Sequence, residues 1–448
     1  MADTIAAIST APMKSALGII RISGDDALGV ASRVFLGNLS EKPREMITGK
    51  FVSQDGNVLD FGMGVYFKAP KSFTGEDSVE FFCHGSTAVL SSVLSALFVS
   101  GARPARPGEF TERAFLSGKI DLTQAEAIID LIDSETELSA KNAAEQMNGA
   151  MGREITAVVD SLSSIAAQFY AFVDYPDDEI SDIERREISK ELFAVAERAK
   201  ELAGTYNKGK LLRNGVKVAI VGRPNVGKSS LLNAILGTER SIVTDIEGTT
   251  RDTVEESISI NSIPLHLIDT AGLRHGETEP EKLGIERSRK AAEEADIIIA
   301  VFDGSEALTP YDTDVLTLAK EKPSVCVINK SDKANLLDVS AFAPLPSLSL
   351  SAKEKLGIKE LCDLICETVG ASDIPCDGRT VTNPRHASTL TRAYNAVVQA
   401  AEGFRNGTYA DLAVTDIENA INILGEITGK SAQDVIISEI FSRFCVGK

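Results

Sequence analysis

The chain has 448 residues, 43% of them apolar, which is material for about three domains with real cores. Lys and Arg total 46 against 65 Asp and Glu; the net charge of −19 argues against this chain alone wrapping a nucleic acid, which needs a concentrated basic face. The start, Met-Ala-Asp-Thr-Ile, lacks a basic leader, no apolar stretch reaches about 18 residues, and the cysteines form no C-x-x-C pair, so we expect a soluble, cytoplasmic protein without a zinc site or membrane association.

Residues 1–118 alternate short apolar runs with turns, as in Ile5-Ala6-Ala7-Ile8, Gly18-Ile19-Ile20-Arg21-Ile22 and Val79-Glu80-Phe81-Phe82, which predicts an α+β domain. Over 119–212 the pattern turns helical. Met151, Ile155, Val158, Leu162, Ile165, Phe169 and Phe172 step by four and three, the stripe of a helix packed in a bundle. Pro176 and Asp177-Asp178-Glu179 break it, and a second helix is expected from Glu184. Residues 213–370 alternate strands and helices, implying a doubly wound sheet with its ligand at the strand carboxyl ends. Here Cys362 and Cys366, four apart on a predicted helix, read as ordinary core packing with Leu361, Leu364 and Ile365. Helical periodicity resumes over 371–448 with Leu390, Tyr394, Val397, Ala401 and Phe404. The α/β segment is therefore read as an insertion in a helical domain whose two halves pack together.

The inserted segment carries the chemistry. Gly222-Arg223-Pro224-Asn225-Val226-Gly227-Lys228-Ser229 is a complete G-x-x-x-x-G-K-S phosphate loop, set between the apolar run Val218-Ala219-Ile220-Val221 and the helical Ser230-Leu231-Leu232-Asn233-Ala234. Its backbone N–H groups face the phosphates, Lys228 reaches the β- and γ-phosphates, and the Ser229 hydroxyl sits on Mg²⁺. Thr244-Asp245-Ile246-Glu247-Gly248-Thr249-Thr250 follows as a switch loop, with Thr250 as a second Mg²⁺ hydroxyl. Asp269-Thr270-Ala271-Gly272 ends a strand-like run; Asp269 would hold Mg²⁺ through water and Gly272 offer its N–H to the γ-phosphate. The next residue is Leu273, where Ras-like proteins carry a water-orienting glutamine, so the water must be placed another way. Asn329-Lys330-Ser331-Asp332 follows the strand-like Val325-Cys326-Val327-Ile328. The Asp332 carboxylate accepts from the ring N–H and amine of guanine, whereas adenine offers an acceptor at the first position and leaves it badly paired. Ser351-Ala352-Lys353 closes the base pocket. The nucleotide is GTP.

The whole chain resembles the MnmE (TrmE) family of tRNA-modification GTPases. Beyond the GTP motifs, the resemblance rests on Asp3-Thr4-Ile5-Ala6-Ala7, Gly18-Ile19-Ile20-Arg21-Ile22-Ser23-Gly24, Ser72-Phe73-Thr74-Gly75-Glu76-Asp77, the block from Arg106-Pro107-Gly108-Glu109-Phe110 to Arg113-Ala114-Phe115, Asp121-Leu122-Thr123-Gln124-Ala125-Glu126-Ala127, and the ending Cys445-Val446-Gly447-Lys448. Met13-Lys14-Ser15-Ala16, in place of a Gly- and Arg-rich turn, and His84-Gly85-Ser86, in place of His-Gly-Gly, depart from it. The alternative reading, a ribosome-assembly GTPase switch, lacks a basic RNA-binding appendage here.

The resemblance implies an N-terminal α+β tetrahydrofolate-binding and dimerisation domain (1–118), a helical domain in two parts (119–212 and 371–448), and an inserted Ras-like P-loop G domain (213–370). It implies a homodimer acting in a heterotetramer or larger assembly with the flavoprotein MnmG, whose FAD stays on that partner and which holds most of the tRNA. Together they add a (carboxymethyl)aminomethyl group to carbon 5 of the wobble uridine, with 5,10-methylenetetrahydrofolate as donor and 5-formyltetrahydrofolate as its analogue. The folate contacts fall on Arg21, Glu80, Lys119 and Lys448. K⁺ falls on Asn225, Thr244, Ile246 and Thr249, where it would neutralise transition-state charge. Glu281 would position the water, although Thr278-Glu279-Pro280-Glu281 also reads as a capping box. Cys445 is a candidate catalytic thiol.

Overall fold

The computed structural model describes residues 3–174, 181–238, 256–268, 289–371, 374–375 and 377–448. It divides into two compact units: Met1–Ile129 with Met147–Tyr170 and Val414–Lys448, and Asp130–Gln146 with Ala171–Ala413.

In the first unit, β1 (Ile5–Ile8), β2 (Ser15–Ser23), β3 (Phe35–Leu36), β4 (Ile47–Val52), β5 (Val58–Phe67), β6 (Ser78–Gly85) and β7 (Arg103–Pro104) form one seven-stranded sheet. Its order is β3-β4-β5-β6-β2-β1-β7, antiparallel throughout except for the parallel pair β1–β7. The two-residue period decides the faces. Ile20 and Ile22 of β2 and Val79, Phe81 and Cys83 of β6 are buried in one core with residues of the helices Ala27–Val34 and Thr87–Val99. Phe35, Phe51 and Phe81 meet there with ring centroids 5.0–5.4 Å apart. The alternate residues Arg21 and Glu80 stand directly opposite each other in register on the other face.

The helix Ala150–Asp174 buries Met151, Ile155, Val158, Leu162, Ile165 and Phe169 of the stripe read from the sequence; the side chain of Phe172, the last of that stripe, lies outside the described residues. Its Tyr170 hydroxyl donates to Glu418 of the helix Ala410–Thr428. The C-terminal helix Asp434–Ser442 packs on the helix Glu109–Leu116. Its Phe441, with Phe444 beyond it, closes a small core with Leu122 and Ala125.

The second unit holds a six-stranded sheet of β8 (Val216–Val221), β9 (Glu256–Ile260), β10 (Ile263–Ile268), β11 (Ile297–Asp303), β12 (Ser324–Asn329) and β13 (Ser347–Ser349). The order is β13-β12-β11-β8-β10-β9, and only β9 runs antiparallel. Strands buried on both faces need continuous apolar runs, and all seven residues of β11 are buried. Val218 and Ile220 enter one core with Leu231, Ile235, Leu361 and Ile365, while Ala219 and Val221 enter another with Val315, Phe302 and Phe342. Helices therefore cover both faces. Cys362 and Cys366 are buried in the first of these cores.

The helix expected from Glu184 begins at Asp182, because Ser181 caps it: its hydroxyl accepts from the Glu184 N–H while Glu184 accepts from the Ser181 N–H. Pro176 and the acidic residues 177–179 lie outside the described residues. That helix, Asp182–Gly204, runs antiparallel to Pro384–Arg405, with Arg185 over the Phe404 ring and Lys200 over Tyr394. Among the described residues, no helix is long and apolar enough to cross a membrane.

Candidate functional site

All described nucleotide-motif residues gather at the carboxyl ends of parallel strands. The phosphate loop leaves β8 and leads into the helix Lys228–Thr238, the N-K-x-D segment leaves β12, and Ser351-Ala352-Lys353 follows β13. This is the crevice where doubly wound sheets bind ligands. Within the loop, Asn225 and Gly227 adopt φ of 65° and 98°. A Cβ at Gly227 would overlap the Asn329 amide, so glycine is required there on two counts.

Asn329 is the joint of the site. It is buried; its Nδ2 donates to the Val226 carbonyl at 2.7 Å and its Oδ1 accepts from the Ala352 N–H at 3.0 Å. One side chain thereby ties the phosphate loop to the base-pocket loop. Lys330 adds a second tie, with Nζ 2.8 Å from the Asn225 carbonyl and 2.6 Å from Asp303 Oδ2. Asp303, buried at the end of β11, was not singled out from the sequence, although a carboxylate ending a strand between two motifs was the available signal. Burial opposes its ionisation, but Lys330 and Ser305 hold it below the usual carboxylate range. Asp332 is exposed, and its Oδ1 accepts from the Ser351 hydroxyl at 2.6 Å, the largest of the effects that lower its pKa.

Lys228 donates to the Gly222 and Arg223 carbonyls at 2.8 and 2.9 Å, and burial pushes its ammonium down to about 8. Ser229, Ser230 and Asn225 are exposed at the loop and the first helical turn, and Lys353 projects outward. The Ser229 hydroxyl and Asn225 amide suit hard cations, which take oxygen ligands. Thr244, Asp245, Ile246, Glu247, Gly248, Thr249, Thr250, Asp269, Thr270, Ala271, Gly272 and Glu281 lie outside the described residues.

A second cluster lies in the first unit. Arg21 Nε donates to Glu80 Oε1 at 2.9 Å, and the Arg21 guanidinium stands 5.6 Å from the Phe73 ring and 5.7 Å from the Phe110 ring. Phe73 is 41% exposed while Phe110 is fully buried. A carboxylate, a guanidinium and a half-exposed aromatic ring suit a ligand with a flat ring, an amide-amine edge and an anionic tail. Lys119 is exposed, beside Gly75 in the loop that carries Phe73. The chain end is fixed in the same unit. Val446 forms a β-bridge with Pro107, the Ser9 hydroxyl donates to the Gly447 carbonyl at 3.0 Å, Cys445 is exposed and Lys448 is half-buried.

Sequence reading gave Glu109 and its partners no individual role. Glu109 is 2% exposed and is bound by Arg103 Nη2 at 2.5 Å, Arg113 Nη2 at 3.0 Å and the Arg106 N–H at 2.8 Å. Arg113 also binds Glu76 Oε2 at 2.9 Å and Asp3 Oδ1 at 2.8 Å, joining the first strand to the Phe73 loop. Burial alone would raise the Glu109 pKa, but these donors outweigh it and bring it to about 2.

A family model described as the MnmE helical domain matches residues 122–445, and one described as the GTP-binding protein TrmE N-terminus matches residues 4–119. The chain is similar to a Natranaerobius thermophilus protein named tRNA modification GTPase MnmE, 40% identical over 457 residues that cover 100% of this chain and 99% of that one. A protein of the same name from Ligilactobacillus salivarius is 41% identical over 455 residues, covering 100% of this chain and 98% of the relative. Among solved structures, Era in complex with MgGDPNP and 16S ribosomal RNA matches 40% of this chain and 66% of that chain, at 31% identity and a TM-score of 0.26.

Proposed function

The chain belongs to the tRNA modification GTPase MnmE family, and from that premise we propose that it is a cytoplasmic GTP hydrolase working on the wobble uridine of tRNA. The observation that carries the nucleotide reading is Asn329, whose amide joins the phosphate loop to the base loop. Lys228 meets the β- and γ-phosphates and Asp332 accepts from guanine. Mg²⁺ would be held by Ser229 and Thr250, and K⁺ by Asn225 with Thr244, Ile246 and Thr249; bound there, the cations neutralise charge on the phosphates. Glu281 orients the attacking water, since Leu273 has no group to do so.

The Arg21–Glu80 cluster takes the tetrahydrofolate, with Lys119 and Lys448 on its anionic groups and Cys445 near the reacting carbon. The protein works as a homodimer with an FAD-carrying partner of the MnmG kind, which supplies most of the tRNA contact; a chain of net charge −19 fits that division of labour. Together they add a (carboxymethyl)aminomethyl group to carbon 5 of the uridine.

Nucleoside analysis of tRNA from a strain lacking this chain tests the reading, with GTP turnover compared in K⁺ and Na⁺. Loss of the modified uridine, restored by the intact gene, and faster turnover in K⁺ are expected. Unchanged wobble uridine removes the tRNA assignment, and equal turnover removes the cation mechanism.

A further inference from the structure

The last residues of a chain usually fray unless something ties them down. Here residues 445–448 lie at the carboxyl ends of the parallel neighbours β1 and β7, touching Ile8 and Ser9 at the end of one and Pro107 three residues beyond the other. Both sides of this contact depend on glycine. Gly108 has φ of 68°, and a Cβ there would stand 2.5 Å from the Phe441 carbonyl and 3.0 Å from Phe444 Cβ. Gly447 has φ of 97°, and a Cβ there would overlap the Ile8 carbonyl. A side chain at Gly447 would push the tail off Ile8, and one at Gly108 would push away residues 441–444, which lead into the tail.

The shape of the receiving turn is set by Glu109. Its carboxylate accepts from the Arg106 N–H at 2.8 Å while its own N–H donates to the Arg106 carbonyl at 3.2 Å, which closes residues 106–109 on themselves. Arg103 and Arg113 hold that carboxylate in place from β7 and from the following helix turn. The turn then presents Pro107 to Val446, and the Gly108 N–H reaches toward the Cys445 carbonyl at 3.4 Å.

We infer that the 106–109 turn is a clamp for the C-terminal tail, with Gly108 and Glu109 as positioning residues that hold Cys445 and Lys448 at the folate cluster. The docking itself follows from the contacts above; its consequence for the modification chemistry rests on the reading under Proposed function. The acidic group acts at a distance from the tail, through backbone shape. Its loss should release the last residues while the rest of the unit stays folded.

The test compares full-length wild type with Gly108→Ala, Glu109→Gln and the milder Ser9→Ala. Hydrogen exchange by mass spectrometry follows a peptide covering residues 444–448 against peptides from β2 and β6, and tryptic cleavage after Arg443 is timed. Gly108→Ala and Glu109→Gln should speed both tail readouts about 10-fold or more, and Ser9→Ala about 3-fold, while β2 and β6 exchange as in wild type in Gly108→Ala and Ser9→Ala. Tail rates equal to wild type in all three variants overturn the clamp, and so does acceleration of tail and sheet in parallel in Gly108→Ala and Ser9→Ala. If Glu109→Gln does not fold, Gly108→Ala and Ser9→Ala decide. None of these readouts involves folate or tRNA. A released tail with normal wobble-uridine modification would leave the clamp standing and remove the folate role of the tail.

Discussion

The Asn329 amide nitrogen lies 2.7 Å from the Val226 carbonyl, so the loop that would hold phosphate and the loop that would read the base share one buried side chain. Neither loop can shift without the other. Binding energy from guanine can therefore be spent on aligning the phosphate loop, which is where the chemistry needs it.

Asn329→Ala should destabilise the protein by about 2 kcal/mol, because it strands the Val226 carbonyl and the Ala352 N–H without replacing either bond. GTP affinity should fall at least about 10-fold, one decade per 1.4 kcal/mol. Urea unfolding and fluorescent-nucleotide titration measure the two effects. Normal affinity in a well-folded variant would separate the loops again.

Asp332→Asn should move base preference from guanine to xanthine. The amide still accepts from the ring N–H, but its NH₂ now faces a carbonyl where guanine has an amine. Ser351 can rotate its hydroxyl to suit either side chain, so folding should change little. Competition between GTP and XTP for the variant reads the switch directly.

Lys228 carries a pH-dependent prediction. Burial has lowered its pKa to about 8, whereas phosphates beside it favour the ammonium and raise it. GTP binding between about pH 8 and 10 should therefore take up as much as one proton. Titration calorimetry in buffers of different ionisation enthalpy measures the uptake, and a binding heat independent of buffer would refute it.

Glu109 gives the opposite case. Its folded pKa of about 2 lies below its unfolded value of about 4.3, so its contribution is complete above the unfolded value and fades as pH falls toward 2. Glu109→Gln should cost about 3 kcal/mol at pH 7, because it leaves Arg103 and Arg113 short of a buried anion. The wild-type advantage should shrink steadily between pH 4.5 and 2 in urea unfolding. A gap that stays constant across that range would assign the stability to packing.

Arg21→Gln should weaken binding of 5-formyltetrahydrofolate by about 10-fold or more, since it removes a charge-assisted partner worth about 1.5–3 kcal/mol. It also loosens Glu80, the residue opposite it in the sheet. GTP turnover should be unaffected in the same preparation, and equal folate affinity would move the pocket elsewhere.

Much of this is legible in local sequence pattern. The phosphate loop, the N-K-x-D run and the stripe from Met151 to Phe169 were legible because each is contiguous or periodic. The pairing of Arg21 with Glu80 was half legible: both residues were chosen, but their adjacency depends on strand register across 59 residues of separation. In the Asp3–Arg103–Glu109–Arg113 cluster, Asp3, Glu109 and Arg113 entered only as matching sequence, and Arg103 was not singled out. Asp3 meets Arg103 and Arg113 across 100 and 110 residues, and although Arg103, Arg106 and Arg113 lie within six residues of Glu109, nothing in local periodicity marks a buried carboxylate with three donors. The helix starts at Asp182, two residues before the expected Glu184, because the Ser181–Glu184 capping box sets its first turn.

The first unit is assembled from stretches at both extremes of the chain, with the closing segment beginning only at Val414. During synthesis the nucleotide-binding sheet, spanning β8 to β13, has left the ribosome well before that segment is made. The N-terminal sheet therefore waits, with the apolar surface of Phe115 and Leu122 uncovered until Phe441 and Phe444 arrive. Such a delay lengthens the period of aggregation risk and makes chaperone demand greatest late in translation. Nascent chains stalled before Val414 should be captured by chaperones far more readily than chains released at full length.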